Sequence, residues 1–281
     1  EEHMTRLESV FSKLKKHGLK LKGSKCEFFR KEIKYLGFIV SEEGIKTDQE
    51  KVKAVRNWPE IKNVRGLRRF LGFTSYYRKF VRDYAKIVRP LNDLLVGHQT
   101  NKKQTTKKKN KPKPTKWKWG DEQQAAREKL IEVLTSPPIF AFADYSLPFI
   151  LNIDASGDGL GAILYQRQNG IERVIAYASR ALRAAEKLYP AHKREFLTLK
   201  WAVTDKFRDY LYGNKFEVRT DNNPLTYVLG KAKLDATSQR WIAELNDYDF
   251  SLVYRSGKSN VDADSLSRID YDHQELFSDA V

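Results

Sequence analysis

Apolar positions recur at helical spacing through residues 1–20, where Leu7, Val10, Phe11 and Leu14 share one side, and this predicts an opening helix. The next stretch, CEFFRKEIKYLGFIVSEEG, breaks β-branched and aromatic runs with charged turn residues and closes on Gly44, the pattern of a hairpin. Thr47 with Glu50 three residues on reads as a capping box, opening a short helix that Pro59 ends. A second helix is predicted after Asn63. Leu67, Phe70, Leu71, Thr74 and Val81 form its apolar face, and Arg65, Arg68, Tyr76, Lys79 and Arg82 the other. WKWGDEQQAAREKLIEVLTSPP predicts a further helix, capped near Asp121 and stopped by Pro137 and Pro138.

From residue 147 the period shifts. LPFILNID, GAILYQRQ and IERVIAYAS read as three strands, the last two joined by the hairpin signal Asn169-Gly170. A long helix is predicted from about Pro190 to a C-terminal cap at Gly213, with Phe196, Leu199, Val203, Phe207 and Tyr210 as its stripe. The strand KFEVRTD, a short helix after Pro224, a helix around SQRWIAELND, the strand DFSLVYRSG and a last helix in NVDADSLSR complete the pattern. A meander of three strands followed by alternating elements implies an α/β (α+β) region with a mixed sheet and flanking helices. There is no internal repeat.

Length and composition widen this to several domains: 281 residues, 41% hydrophobic and 12% aromatic, can bury more than one core. The formal net charge is +16, with a pI near 9.6. Nine lysines between Lys102 and Lys118, with no acid among them, account for nine of those charges and leave +7 elsewhere. GHQTNKKQTTKKKNKPKPTK has no apolar periodicity and reads as a flexible linker or loop. The basic balance points to an acidic partner, nucleic acid first, because no apolar run of about 20 residues and no signal-peptide pattern is present. Cations interleaved with an aromatic ring on the second helix suit a phosphate backbone, and equally a solvated amphipathic face. A single cysteine, Cys26, excludes an internal disulfide and a cysteine zinc site, and suits a reducing compartment.

The acids are the candidate chemistry. Asp154 ends the first strand of the α/β region, where a lone buried carboxylate is expensive. Asp221 ends the fourth strand, and adjacent parallel strands would set the two side by side, repelling unless a cation lies between them. Glu195 stands at the edge of the long helix's stripe, and Asp264 in the last helix, with Asp262 close by. Three Asp and one Glu from separate elements suit hard divalent cations. Two such ions, about 3.5–4 Å apart, activate water and stabilise the leaving oxygen in phosphodiester hydrolysis. Taken singly each acid has an ordinary explanation: a turn cap at Asp154, an Asx-turn at Asp221, a surface pair of Glu195 with Arg194 or Lys200, and a helix-start acid at Asp264.

LNIDASGDGLGAILYQ, YPAHKREFLTLKWAVTDKFRDYLYG, FEVRTDNNPLTYVL, RWIAELNDYDFSLVYRSGKSN and DADSLSR closely resemble the RNase H domain of gypsy-type LTR retrotransposon Pol polyproteins. Upstream, KCEFFRKEIKYLGFIVSEEGIKTDQEKVKAVRNWP and LRRFLGFTSYYRKFV resemble the end of that family's reverse transcriptase palm and its thumb. The resemblance implies a palm end over 1–46, a helical thumb-like region over 47–95 and a lysine-rich insertion over 96–116. A helical connection over 117–145, an RNase H-like domain with a mixed five-stranded sheet over 146–270 and a tail over 271–281 follow.

By the same resemblance, Asp154, Glu195, Asp221 and Asp264 are the catalytic acids and metal ligands, served by two Mg²⁺ ions, with Mn²⁺ the alternative. Tyr35, Leu36 and Gly37 fall in the hairpin that grips the primer end. The implied activity is hydrolysis of the RNA strand of RNA–DNA hybrids, with hybrid or duplex and the absent palm and fingers as partners. The implied setting is intracellular, in a cytoplasmic virus-like particle or the nucleus, with no membrane. Departures are Lys193 two residues before Glu195, Asn222 after Asp221, the extra Asp262 and the long lysine insertion. No adjacent Asp-Asp occurs, so the Tyr-X-Asp-Asp turn of a polymerase is absent and no DNA synthesis is expected from this chain alone. The competing expectation is a catalytically weak or inert nucleic-acid-binding retroelement fragment.

Overall fold

The structure, a computed structural model, describes residues 1–98, 116–136, 139–221 and 235–254. The lysine-rich run, the predicted helices after Pro224 and in NVDADSLSR, and with them Asp262 and Asp264, lie outside the described residues. The chain divides into two units, 1–33 and 34–281. In the first, α1 (Glu2–Lys16) carries the expected stripe but buries none of it, leaving Val10 and Phe11 exposed. Cys26 is half-buried.

β1 (Glu32–Tyr35) leads into the second unit. Leu36 and Gly37 follow at φ of 49° and 79°, the positive values that a two-residue type I′ turn requires. β2 (Phe38–Ser41) then pairs antiparallel with β3 (Gly44–Thr47). α2 (Gln49–Arg56) is capped by Asp48, whose carboxylate accepts the Glu50 N–H at 3.0 Å. The cap is therefore one residue later than expected, because Thr47 is the fully buried end of β3.

α3 (Val64–Tyr76) starts where expected, with Asn63 accepting the Gly66 N–H at 2.9 Å, but it stops at Tyr76. Lys79, Val81 and Arg82 therefore lie beyond it, on a 3-10 turn and a bend. A tertiary contact accounts for the break. Arg78 donates to the Ser179 carbonyl at 2.5 Å and the Ala85 N–H donates to Ser179 Oγ at 3.0 Å, drawing this segment onto the sheet below. α4 (Tyr84–Ile87), α5 (Arg89–Asp93) and α6 (Asp121–Thr135) complete the helical region around Val55, Leu67, Phe70, Leu91, Leu130 and Leu134. Each such buried side chain contributes about 1.5–3 kcal/mol relative to exposure.

Phe140 joins the regions: its N–H and C=O bond those of Ile45 at 2.9 and 2.8 Å. β4 (Phe149–Ala155), β5 (Gly159–Gln168) and β6 (Ile171–Ala181) form an antiparallel meander, with Asn169 and Gly170 at positive φ in the expected turn. α7 (Ala191–Lys200) runs through a π-helical turn, Trp201–Lys206, into α8 (Arg208–Leu211), and Gly213 closes the helix at φ 77°. Pro190 occupies the N-cap, just ahead of the first helical residue. The π turn keeps Val203, Phe207 and Leu211 buried together. β7 (Phe216–Thr220), α9 (Ala236–Leu245) and β8 (Phe250–Tyr254) follow.

The five strands are ordered β6-β5-β4-β7-β8, antiparallel as far as β4 and parallel beyond it. This is the mixed sheet the sequence implies. Phe149, Leu151 and Ile153 pack with Phe196 and Leu199 of α7 in the core. The alternate residues Ile150, Asn152 and Asp154 face the opposite side.

Candidate metal-binding site

The β4–β7 register sets Asn152 opposite Arg219. Two residues farther along both chains stand Asp154 and Asp221, so the parallel pairing carries both acids to the same end of the sheet. α7 brings Glu195 over that end from a position only 5% exposed. One oxygen from each of Asp154, Glu195 and Asp221 lies within 4.8 Å of the others. Glu195 Oε1 accepts the Ala155 N–H at 3.0 Å, while its Oε2 is buried and has no hydrogen-bond partner among the described residues.

The electrostatics follow from this packing. Burial, then the charges of Asp154 and Asp221, push the Glu195 carboxyl up to about 7, against the Ala155 N–H and Arg194, which hold it down. Burial also raises Asp154, followed by Asp221 and Asp83, with Arg82 and Lys86 opposing. Asp154 keeps solvent access, so water screens its charges more than those at Glu195. All the donors are carboxylate oxygens, one of them buried and unpaired, and that is the chemistry a hard divalent cation satisfies. The donor set fits such an ion.

The other sequence candidates fall elsewhere. Tyr35 and Leu36 are 61% and 67% exposed at the first turn, and Tyr76, also exposed, donates its hydroxyl to the Leu36 carbonyl. Phe38 stacks on Tyr76 at 5.4 Å, and the Lys79 ammonium sits 4.3 Å over the Phe38 ring. The structure thus gathers Tyr35, Leu36, Gly37, Tyr76 and Lys79 at one place. Arg65 is exposed on α3, and Arg68 donates to the His98 carbonyl at 2.9 Å. Arg82 lines the cleft that holds Asp154 and Asn152.

Two features of the site escape sequence reasoning. Asp83 lines the same cleft, and nothing in the sequence singles it out beyond an acid following Arg82. On the same sheet face, buried Arg219 donates to Glu172 at 2.9 and 3.0 Å and to Glu217 at 2.5 Å. Strand alternation puts Glu217 and Arg219 on one face of β7, but Glu172 lies on β6, beyond the reach of that local pattern.

Residues 144–248 match the model of the RNase H-like domain found in reverse transcriptase. Over 99% of its length the chain is 38% identical to the retrovirus-related Pol polyprotein from transposon opus of Drosophila melanogaster. The likeness to retrovirus-related Pol polyproteins thus runs along nearly the whole chain. The gypsy Pol polyprotein of the same fly is 35% identical over 95% of the chain, and the Tf2-3 transposon polyprotein of Schizosaccharomyces pombe 31% over 95%. The chain spans only 27%, 25% and 19% of those three relatives. Among solved structures, the foamy viral protease-reverse transcriptase in complex with RNA/DNA hybrid superposes with a TM-score of 0.73. It is 22% identical, covering 91% of this chain and 33% of that one. A second structure, that enzyme's dRH form with double-stranded DNA, gives 0.72 at 22% identity, covering 90% and 43%. At that identity the likeness establishes the fold. The carboxylate cluster therefore lies in the segment that matches the RNase H-like domain found in reverse transcriptase, as the motifs implied.

Proposed function

We propose that this Pol chain hydrolyses the RNA strand of RNA–DNA hybrids in a reaction that requires divalent cations, Mg²⁺ in two positions. The observation that carries the reading is the convergence of Asp154, Glu195 and Asp221 with a buried, unpartnered oxygen on Glu195. These three would hold the ions, with Asp264 proposed as a fourth ligand by its place in the family motif. Bound divalent cations supply Lewis acidity to the scissile phosphate and acidify an attacking water.

The chain's own residues arrange the rest. The Ala155 N–H fixes the Glu195 carboxylate against the end of β4. Asp154 and Asp221 remain open to solvent, and so to a nucleic-acid backbone. The exposed cations Arg65 and Arg82, and the Tyr35, Leu36 and Tyr76 cluster, supply a surface for duplex. The fold neighbour solved with RNA/DNA hybrid supports the choice of substrate.

The test is strand-resolved cleavage. With Mg²⁺ and a hybrid labelled on one strand or the other, fragments are expected from the RNA strand alone, and a chelator should abolish them. Cleavage of the DNA strand would refute the specificity. Salt-dependent binding without cleavage would favour the inert binding fragment.

A further inference from the structure

This inference deepens the reading above and rests on it. Asp83 stands at the N-cap of α4, where an aspartate ordinarily accepts a hydrogen bond from the first turn, yet its side chain caps nothing. Its backbone is left-handed, at φ 53°, a conformation that disfavours non-glycine residues. Both departures aim the carboxylate at the sheet. There it meets Gly161, the residue opposite Asp154 in the β4–β5 register, and a Cβ on Gly161 would lie 3.3 Å from Asp83 Oδ1. Arg82, Asp83, Asn152, Asp154 and Gly161 line a single cleft. The approach is held from both sides: Arg78 and Ala85 bond Ser179, and Arg89 forms an ion pair with Asp158 in the loop after Asp154.

Another acid beside Asp154 adds repulsion, which Arg82, 3.8 Å from Asp83, only partly offsets. A cation in the centre would reverse the sign of that interaction. The nine-tenths-buried Glu195, whose Oε2 has no partner among the described residues, independently marks a place for one.

We propose that Asp83 is a positioning residue through which the helical region completes the metal centre of the RNase H-like domain. Its carboxylate, held beside Asp154, strengthens divalent-cation binding there. The nuclease centre then depends on docking of the 78–89 segment and is not a property of the sheet and α7 alone.

The experiment is calorimetric titration of the full chain with Mn²⁺, comparing wild type, Asp83→Asn, Asp83→Glu and Asp154→Asn. Asparagine accepts the left-handed backbone and keeps the shape, so only the charge is lost. Mn²⁺ affinity is expected to fall about tenfold in Asp83→Asn, to recover in part in Asp83→Glu, and to be lost in Asp154→Asn. Loss in Asp154→Asn with wild-type affinity in Asp83→Asn would overturn the role of Asp83 alone. Wild-type affinity in Asp154→Asn would overturn the metal centre itself.

Discussion

Glu195 offers a sharp test because its burial sets a penalty that only a proton or a cation relieves. In the metal-free protein its carboxyl is raised from 4.5 to about 7, chiefly by burial and then by Asp154 and Asp221. At 1.36 kcal/mol per pH unit this shift corresponds to about 3 kcal/mol. The sign is fixed by which state holds the proton. Below pH 4.5 the side chain is neutral folded and unfolded, and the full stability is present. Between 4.5 and about 7 the unfolded chain gives up its proton while the folded chain keeps it, so stability falls as pH rises, and above about 7 the loss is complete. Replacing Glu195 with Gln keeps an oxygen for the Ala155 N–H and removes the titration. Urea unfolding in a chelator from pH 5 to pH 8 should show the stability of Glu195→Gln gaining about 2–3 kcal/mol on wild type. Adding Mg²⁺ at pH 8 should restore wild type and leave the variant unchanged. A variant-minus-wild-type difference that stays flat across the pH range would refute the reasoning.

Other consequences are structural. Gly44 has φ 135°, and a Cβ there would lie 2.0 Å from the Phe140 carbonyl oxygen, so Gly44→Ala should break the Ile45–Phe140 pair. The expected loss is about 2–4 kcal/mol in denaturant unfolding; an unchanged midpoint would contradict it. Arg219→Ala leaves Glu172 and Glu217 without their shared partner, and about 2–4 kcal/mol of stability should go in denaturant unfolding; an unchanged midpoint would contradict the role of this buried ion network. Asn63→Ala removes one helix cap and should destabilise by about 1 kcal/mol, with no change in Mn²⁺ affinity.

The sheet was legible because its strands obey local rules. Asn169-Gly170 specifies a turn by itself, and the strand-end positions of Asp154 and Asp221 follow from alternation and parallel pairing. What stayed hidden depends on distant partners. The periodicity of α3 continues through Val81, but Ser179, about a hundred residues away in sequence, bends the chain after Tyr76 and so turns Asp83 toward Asp154. The cap at Asp48 escaped for a smaller reason: Thr47 satisfies the capping pattern equally well until burial of β3 withdraws it. The ion network of Arg219 needed Glu172, two strands beyond β4 in the sheet order, which no local pattern links to it.

The most direct measurement of the central claim is cleavage of the labelled RNA strand of a hybrid with Mg²⁺, run on wild type and Asp154→Asn alongside hybrid binding and thermal unfolding. Cleavage lost in the variant, with binding and unfolding preserved, is the expected result. Cleavage retained by Asp154→Asn would contradict the assignment of the carboxylate cluster as the reacting centre.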